Sequence, residues 1–335
     1  MGADVFAELE WRGMVHQVTD PDLGPRLARQ TFTFYIGFDA TADSLHVGSL
    51  LPLMVTARLQ RAGHRPIVLL GGGTTLVGDP SGKDAERPVI SPADVARNAA
   101  GIRAQVERIV GAEIDLVDNA EWLTRLTLTD FLRDVGGHFR VNDMIAKDSV
   151  RARLERDQGI SYKEFSYMLL QAYDFLELCR AHGCRLQVGG SDQWGNITAG
   201  IELIRRSGEG EAFGMTFPLV TRADGAKFGK SEGGNVWLDA GRTSPYEFFQ
   251  FWLRVGDADV GRYLRLFTWL ERERITGLDE SVAQHPERRE AQQVLADEVT
   301  AMVHGPEAAV AARQAARALY GGELEDLDER TLLEV

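Results

Sequence analysis

The sequence predicts an α/β fold built on a parallel sheet, followed by an all-α region. Three observations predict it. Short apolar runs alternate with amphipathic stretches from residue 31 to about 118, the rhythm of βαβ units with right-handed crossovers. That rhythm lapses into helical signals over 120–182 and then resumes. From Pro245 onward only helical signals remain, broken by Gly256, Gly277, Pro286, Gly305 and Gly321. A sheet of this kind places its ligand crevice outside the carboxyl ends of its strands.

Residues 1–30 read as helical at first and then as loop, where Pro21, Gly24 and Pro25 interrupt the pattern. Thr31 to Phe38 is rich in Thr, Phe, Tyr and Ile and reads as a strand. Gly37, Asp39 and Thr41 supply turn chemistry, and Asp43 or Ser44 can cap a helix whose apolar run starts at Leu45. His46 and Gly48 then stand at that helix's N-terminus, where backbone N–H groups attract anions and glycine admits a flat ligand. The same stretch also reads as an ordinary strand–turn–helix with a surface histidine. Arg65–Leu70 is a buried strand, 92–110 a helix, and Glu113–Val117 another strand. Helices are expected over 122–136, 141–156 and 162–182, strands over Arg185–Val188 and Met215–Val220, and a helix between them through Arg206. The boundary between the α/β and helical parts falls near 222–244.

Composition narrows the function. The chain has 335 residues, 44% of them hydrophobic and 26% charged, enough for a sizeable core and two domains. No apolar run approaches the length of a membrane span, and the N-terminus lacks the apolar core of a signal peptide. Two cysteines, Cys179 and Cys184, are too few for a disulfide framework or zinc site and read as reduced and buried, which fits the cytoplasm. The net charge of −13 argues against general DNA binding, while a local basic patch can still hold RNA.

Four stretches can carry chemistry. Gly71–Lys83 is a glycine-rich turn after a strand that misses the Walker A spacing, three residues standing between Gly78 and Gly82. Its Asp79 can bind an amine, and Lys83 and Arg87 can bind phosphate; it also reads as a plain surface loop. Tyr167, Gln171 and Asp174 share one face of a helix, which is either a solvated stripe with Lys163 and Glu164 or the wall of a cavity. In Gly189–Asn196, Ser191 can cap a helix, Asp192 can accept from a ribose and Gln193 can donate to a carboxylate. Lys227 and Lys230 sit among four glycines of a cationic loop suited to closing over polyphosphate, or simply a flexible surface loop.

Together these stretches resemble bacterial-type tyrosyl-tRNA synthetases, class I enzymes. The run YIGFDATADSLHVGSL is similar to the family's first signature, and KFGKS, Lys227 to Ser231, to its second. GDPSGK, YMLLQAYDFLEL and GGSDQWGN match in order and spacing. The one departure is Ser49, where the signature most often carries a second histidine. The resemblance implies a Rossmann-type catalytic domain over 31–221 with a helical insertion about 120–160. It also implies a mobile loop and linker over 222–244 and an anticodon-side helical domain over 245–320. It reads 321–335 as an acidic linker to an S4-like RNA-binding domain that this sequence does not contain.

The implied activity joins L-tyrosine to ATP, with Mg²⁺, and passes the tyrosyl group to tRNA(Tyr) from a homodimer. By the resemblance, Tyr35 and Asp174 hold the phenol, Asp79, Tyr167 and Gln171 the ammonium, and Gln193 the carboxylate. His46, Gly48 and Asp192 bind the nucleotide, together with Gly37, Asp39, Thr41, Ser49, Gly190 and Ser231. Lys83, Arg87, Lys227 and Lys230 surround the departing pyrophosphate. The related tryptophanyl enzymes are the nearest alternative, and Asp174 with Tyr35 speak for a phenol over an indole. A noncatalytic RNA-binding relative would have lost His46, Asp79 or Lys230, and all three are present.

Overall fold

The structure, a computed structural model, describes residues 4–78, 91–147, 150–151, 154, 159–225, 228–231 and 234–318. Asp79, Lys83, Arg87 and Lys227 lie outside the described residues, as does the segment 319–335; Lys230 and Ser231 are described by backbone alone. The chain divides into two compact units. The first comprises Met1–Asp43, Val55–Arg103 and Glu113–Leu219, and the second Ser44–Met54, Ala104–Ala112 and Val220–Val335.

In the first unit, α1 (Val5–Trp11) and α2 (Leu23–Arg29) flank a two-residue strand, β1 (Gln17–Val18). Helix α2 corrects the expectation of a loop. Gly24 and Pro25 fall in its first turn, where a missing N–H breaks no helical bond, and a Cβ on Gly24 would meet Phe6 at 2.6 Å. The sheet runs β1, β6, β5, β2, β3, β4, with β2 (Thr33–Phe38), β3 (Arg65–Leu70), β4 (Asp115–Asp118), β5 (Leu186–Gly190) and β6 (Phe213–Phe217). All neighbours are parallel except β1, which pairs antiparallel with β6 at the edge. The chain moves from β2 outward to β3 and β4, then returns to β5 on the other side of β2. Strand order therefore reverses between β2 and β5, the switch point where such sheets bind ligands.

Strand β6 starts two residues earlier than expected and ends at Phe217, because Pro218 has no N–H to continue the ladder. Strand β5 runs two residues further, since Gly189 and Gly190 still pair with Thr216 and Phe217. The helix expected over 122–136 is broken into shorter pieces, and much of 146–156, the remainder of the helix expected from Val141, lies outside the described residues. α6 (Ala120–Leu123) ends before Thr127, whose hydroxyl accepts from Asp130 N–H and starts α7 (Leu128–Asp130) afresh. A π turn at Phe131–Val135 and a 3₁₀ turn at Gly136–His138 follow, then α8 (Val141–Ile145).

Helix α9 (Tyr162–His182) begins where expected. A capping box between Ser161 and Glu164 satisfies its first turn, and Gly183, at φ 63°, closes it in the left-handed conformation that glycine adopts freely. It packs on α10 (Trp194–Arg206), and Phe175, Leu178, Leu203 and Ile204 are fully buried. Both cysteines are buried and free, as expected.

The second unit is mainly helical. α11 (Pro245–Leu253), α12 (Asp257–Phe267), α13 (Arg272–Gln284), α14 (Glu290–His304) and α15 (Pro306–Ala318) pack around Trp252, Phe248 and Leu295. The breaks at Gly256, Pro286 and Gly305 match the sequence; Gly277 does not break its helix but lies inside α13, a tolerated cost of about 1 kcal/mol. Among the described residues no helix is long and apolar enough to cross a membrane.

Candidate active site

The polar face of α9 is not a solvated stripe. Asp174 is 2% exposed and Tyr167 4%, and Glu164 is buried as half of the capping box. Asp174 Oδ2 accepts from Asn119 Nδ2 at 2.9 Å and Oδ1 from Trp122 Nε1 at 2.8 Å. Asn119 is itself oriented. Its carbonyl accepts from Gly73 N–H at 2.7 Å, and its amide also donates to Thr74 Oγ1 at 2.9 Å. The end of β4 thus clamps the turn after β3 and aims an N–H at the carboxylate. Burial pushes the Asp174 carboxyl up to about 7, against the two hydrogen bonds that favour its charged form; Asp39 and Asp118 add to the rise.

Tyr35, in the middle of β2, is 1% exposed, and its hydroxyl has no hydrogen-bond partner among the described residues. Its ring packs on Phe175 at 5.2 Å between centroids. Burial raises its pKa well above 10, and the nearby Asp174 carboxylate raises it further. A buried hydroxyl left without a partner costs about 1–3 kcal/mol, which makes Tyr35 a candidate ligand contact.

The amide pair is linked by a residue the sequence reading passed over. Asn196 Nδ2 donates to Gln171 Oε1 at 3.0 Å and to Gln193 Oε1 at 3.1 Å, holding both carbonyls in one orientation. Ser191 does not cap a helix directly; a 3₁₀ turn, Ser191–Gln193, precedes α10.

At the switch point, Gly37 is the one exposed position of β2, and a Cβ there would meet only Leu69 O, at 4.0 Å. Asp39 is half-buried and Thr41 exposed in the loop that leaves β2. On the other side, Gly190 ends β5, where a Cβ would lie 2.5 Å from Asp192 Oδ1. Gly37, Asp39, Gly190 and Asp192 therefore gather at the carboxyl ends of the two strands that flank the reversal.

The second unit holds the remaining candidates. The helix expected from Leu45 starts later: a 3₁₀ turn, Val47–Ser49, leads into α3 (Leu50–Arg61). His46 is the cap, its Nδ1 accepting from Gly48 N–H at 3.0 Å, in place of Asp43 or Ser44. Ser44 is occupied elsewhere, donating to Leu45 O and accepting from Gln105 Nε2 and Asp239 N–H. Gly48 is required by packing, since a Cβ would sit 2.7 Å from the His46 ring. Ser49 N–H donates to His46 O at 2.8 Å.

The cationic loop is anchored close by. Val47 N–H donates to Val236 O, and Val236 N–H to Gly229 O. A short hairpin pairs β7 (Lys230–Ser231) with β8 (Gly234–Asn235). Phe228 inserts among aromatic side chains of α11 and α12, 5.8 Å from Phe251 and Trp252, 5.1 Å from Tyr263 and stacked on Phe267 at 5.4 Å.

A buried hydroxyl with an oriented carboxylate, amide carbonyls, and exposed glycine beside a switch point suit an amino acid and a nucleotide. The sequence pattern of the class I tRNA synthetases (W and Y) matches residues 27–321. This chain belongs to that family. Among relatives of this class I synthetase, the tyrosine–tRNA ligase of Roseiflexus castenholzii is 58% identical over 328 residues, 96% of this chain and 77% of that protein. That of Geobacillus stearothermophilus is 53% identical over 331 residues, covering 97% and 78%. Of solved structures, the C-terminally truncated mitochondrial tyrosyl-tRNA synthetase of Aspergillus nidulans superposes with a TM-score of 0.85 at 33% identity, covering 95% of this chain and 94% of that one. A tryptophanyl-tRNA synthetase of Plasmodium falciparum, at TM-score 0.67 and 14% identity, shares the fold.

Proposed function

We propose that this class I synthetase is a tyrosine–tRNA ligase, forming tyrosyl-adenylate and pyrophosphate from L-tyrosine and ATP and passing the tyrosyl group to the 3′-terminal ribose of tRNA(Tyr). The observation that carries the choice of amino acid is the unpartnered Tyr35 hydroxyl beside Asp174, itself fixed by Asn119 and Trp122. An indole offers one N–H donor and no acceptor, so it would leave Tyr35 unsatisfied; a phenol can meet both groups. The identities of 50–58% to tyrosine–tRNA ligases support the same reading.

In this proposal Tyr35 and Asp174 bind the phenol, Asp79, Tyr167 and Gln171 the ammonium, and Gln193 the carboxylate. Gly37, Asp39, Thr41, His46, Gly48, Ser49, Gly190, Asp192 and Ser231 serve the nucleotide. The tyrosine carboxylate attacks the α-phosphate in line and needs no general base. Catalysis comes from alignment and from the positive charge of Lys83, Arg87, Lys227 and Lys230 where pyrophosphate departs. Mg²⁺ belongs to the nucleotide's phosphates, and among the described residues no three or more His, Cys, Asp or Glu side chains form a metal cluster.

We propose a cytoplasmic homodimer joined through the 120–160 insertion. Leu128 (70% exposed), Leu132, Val141 and Ile145, large apolar side chains left exposed within the insertion, support this reading. The domain roles follow the same reading: catalysis over 31–221, a mobile loop at 222–244, and anticodon-side contacts from 245–320. The functional test is ATP–pyrophosphate exchange on the purified chain with each amino acid. Tyrosine-dependent exchange is expected; exchange driven by tryptophan, or none, would overturn the proposal.

A further inference from the structure

The phenol site is negative, and its hydrogen-bond directions are fixed. Asp174 receives one N–H on each oxygen, from Asn119 and Trp122, contacts that favour its charged form, and once ionised, above about 7, it faces a ligand as a pure acceptor. Tyr35, 1% exposed, brings a hydroxyl with no partner among the described residues, close enough for the Asp174 charge to act on it. A ligand oxygen meeting both groups receives a hydrogen bond from Tyr35 and must give one to Asp174. A ring hydroxyl that has lost its proton has nothing to give.

Resting on the tyrosine reading above, we infer that the pocket takes the substrate phenol only with its proton on, opposite an ionised Asp174, and excludes tyrosines whose ring hydroxyl is ionised. Two like charges in a buried site repel strongly, and one O–H from Tyr35 does not offset that repulsion. The neighbouring charges add to it: Asp39, beyond the end of β2, and Asp118, at the end of β4, both act on Asp174 with negative sign. Cys184, before β5, also acts on Tyr35; burial pushes its thiol up, so it stays neutral. Asn119 and Trp122, which touch Asp174, and Thr74, which touches Asn119, bring no charge. Selection of the amino acid thus includes its protonation state. Ring substituents that acidify the phenol cost affinity through ionisation even when they are small enough to fit.

The probe is 3,5-difluorotyrosine, whose phenol ionises near neutral pH and whose fluorines add little volume. Its binding to the full chain is titrated from below to well above that pKa, with tyrosine as the reference at each pH. The ultraviolet phenolate band is followed at the same time. The expected result is that affinity relative to tyrosine falls about tenfold per pH unit above the analogue's pKa, as the neutral fraction does. The phenolate band should disappear from the bound ligand, with a proton taken up from buffer. A relative affinity flat across that range, or a bound ligand that keeps its phenolate band, overturns the inference. Failure of tyrosine itself to bind overturns the functional reading instead, so the two failures are distinct.

Discussion

Asn119 donates to Asp174 across 2.9 Å while Gly73 donates to Asn119 across 2.7 Å, so the backbone after β3 sets the direction of the N–H that holds the carboxylate. Asn119 and Trp122 are the side chains that hold Asp174. Both act by fixing where the negative charge lies.

Replacing Asn119 therefore separates positioning from binding. Asn119→Ala leaves one oxygen of Asp174 and the Gly73 N–H without partners, at about 1–3 kcal/mol each. Tyrosine-dependent exchange should lose about five- to 150-fold in kcat/KM, and Tm should fall by several degrees. Trp122→Phe, which removes the Nε1–H bond at 2.8 Å and trims the ring but leaves Asn119 holding Gly73 N–H, should lose less and keep Tm closer to wild type. Unchanged kcat/KM in both variants would show that Asp174 needs no holding.

The pH dependence follows from Asp174. Its pKa, raised to about 7 from 3.8, means that the folded chain holds a proton there that the unfolded chain releases. The group contributes stability below about 4 and loses it as pH rises through about 7. Binding runs the other way, because the phenol needs the ionised acceptor. The kcat/KM for tyrosine should rise with pH and level off above about 7, reporting the free enzyme. A profile flat from pH 5 to 8, pH values set on either side of about 7, would mean that Asp174 stays ionised throughout.

The sequence made the parallel sheet and the polar face of α9 legible, because strand composition and helical spacing are local properties. It could not show whether that face met solvent or a cavity, since Phe165, Leu169, Ala172 and Leu176 account for a core contact by themselves. Burial of Asp174 at 2% exposure is a product of packing from β4 and α6. Asn119, after a strand, reads as a cap, and Asn196 as a polar helix position; both escape a local reading because their partners lie 55 and 25 residues away in the chain. The helix start near Leu45 was misplaced because Ser44, a good cap by type, is drawn into bonds with Gln105 and Asp239.

Phe228 should act on the cationic loop through its anchor. Phe228→Ala empties the space stacked on Phe267 and unseats the loop that carries Lys227 and Lys230. The rate of adenylate formation should fall at least tenfold with little change in tyrosine affinity, and Phe228→Met should restore much of it. Lys230→Ala should give the same pattern more strongly, since its charge is needed only as pyrophosphate separates. Equal losses in rate and tyrosine binding would place either residue in the ground-state complex or in the fold.

The insertion face predicts an assembly effect. Val141→Asp sets a charge at a position 57% exposed, which costs a monomer little. In sedimentation velocity it should shift the chain toward monomer at concentrations where wild type is dimeric. Identical sedimentation of the two proteins would place the dimer contact elsewhere or remove it.

If Tyr35 and Asp174 read the phenol, they set the discrimination between tyrosine and phenylalanine. Phenylalanine leaves the Tyr35 hydroxyl unpaired and Asp174 without its ligand donor. Tyr35→Phe removes one of those two penalties, worth about 1–3 kcal/mol. The measurement is the ratio of kcat/KM for the two amino acids in pyrophosphate exchange, on wild type and Tyr35→Phe, with Tm as a check that the fold is intact. The expected ratio is about five- to 150-fold smaller in the variant, with discrimination persisting through Asp174. A ratio unchanged from wild type would make Tyr35 a core aromatic with no part in reading the phenol.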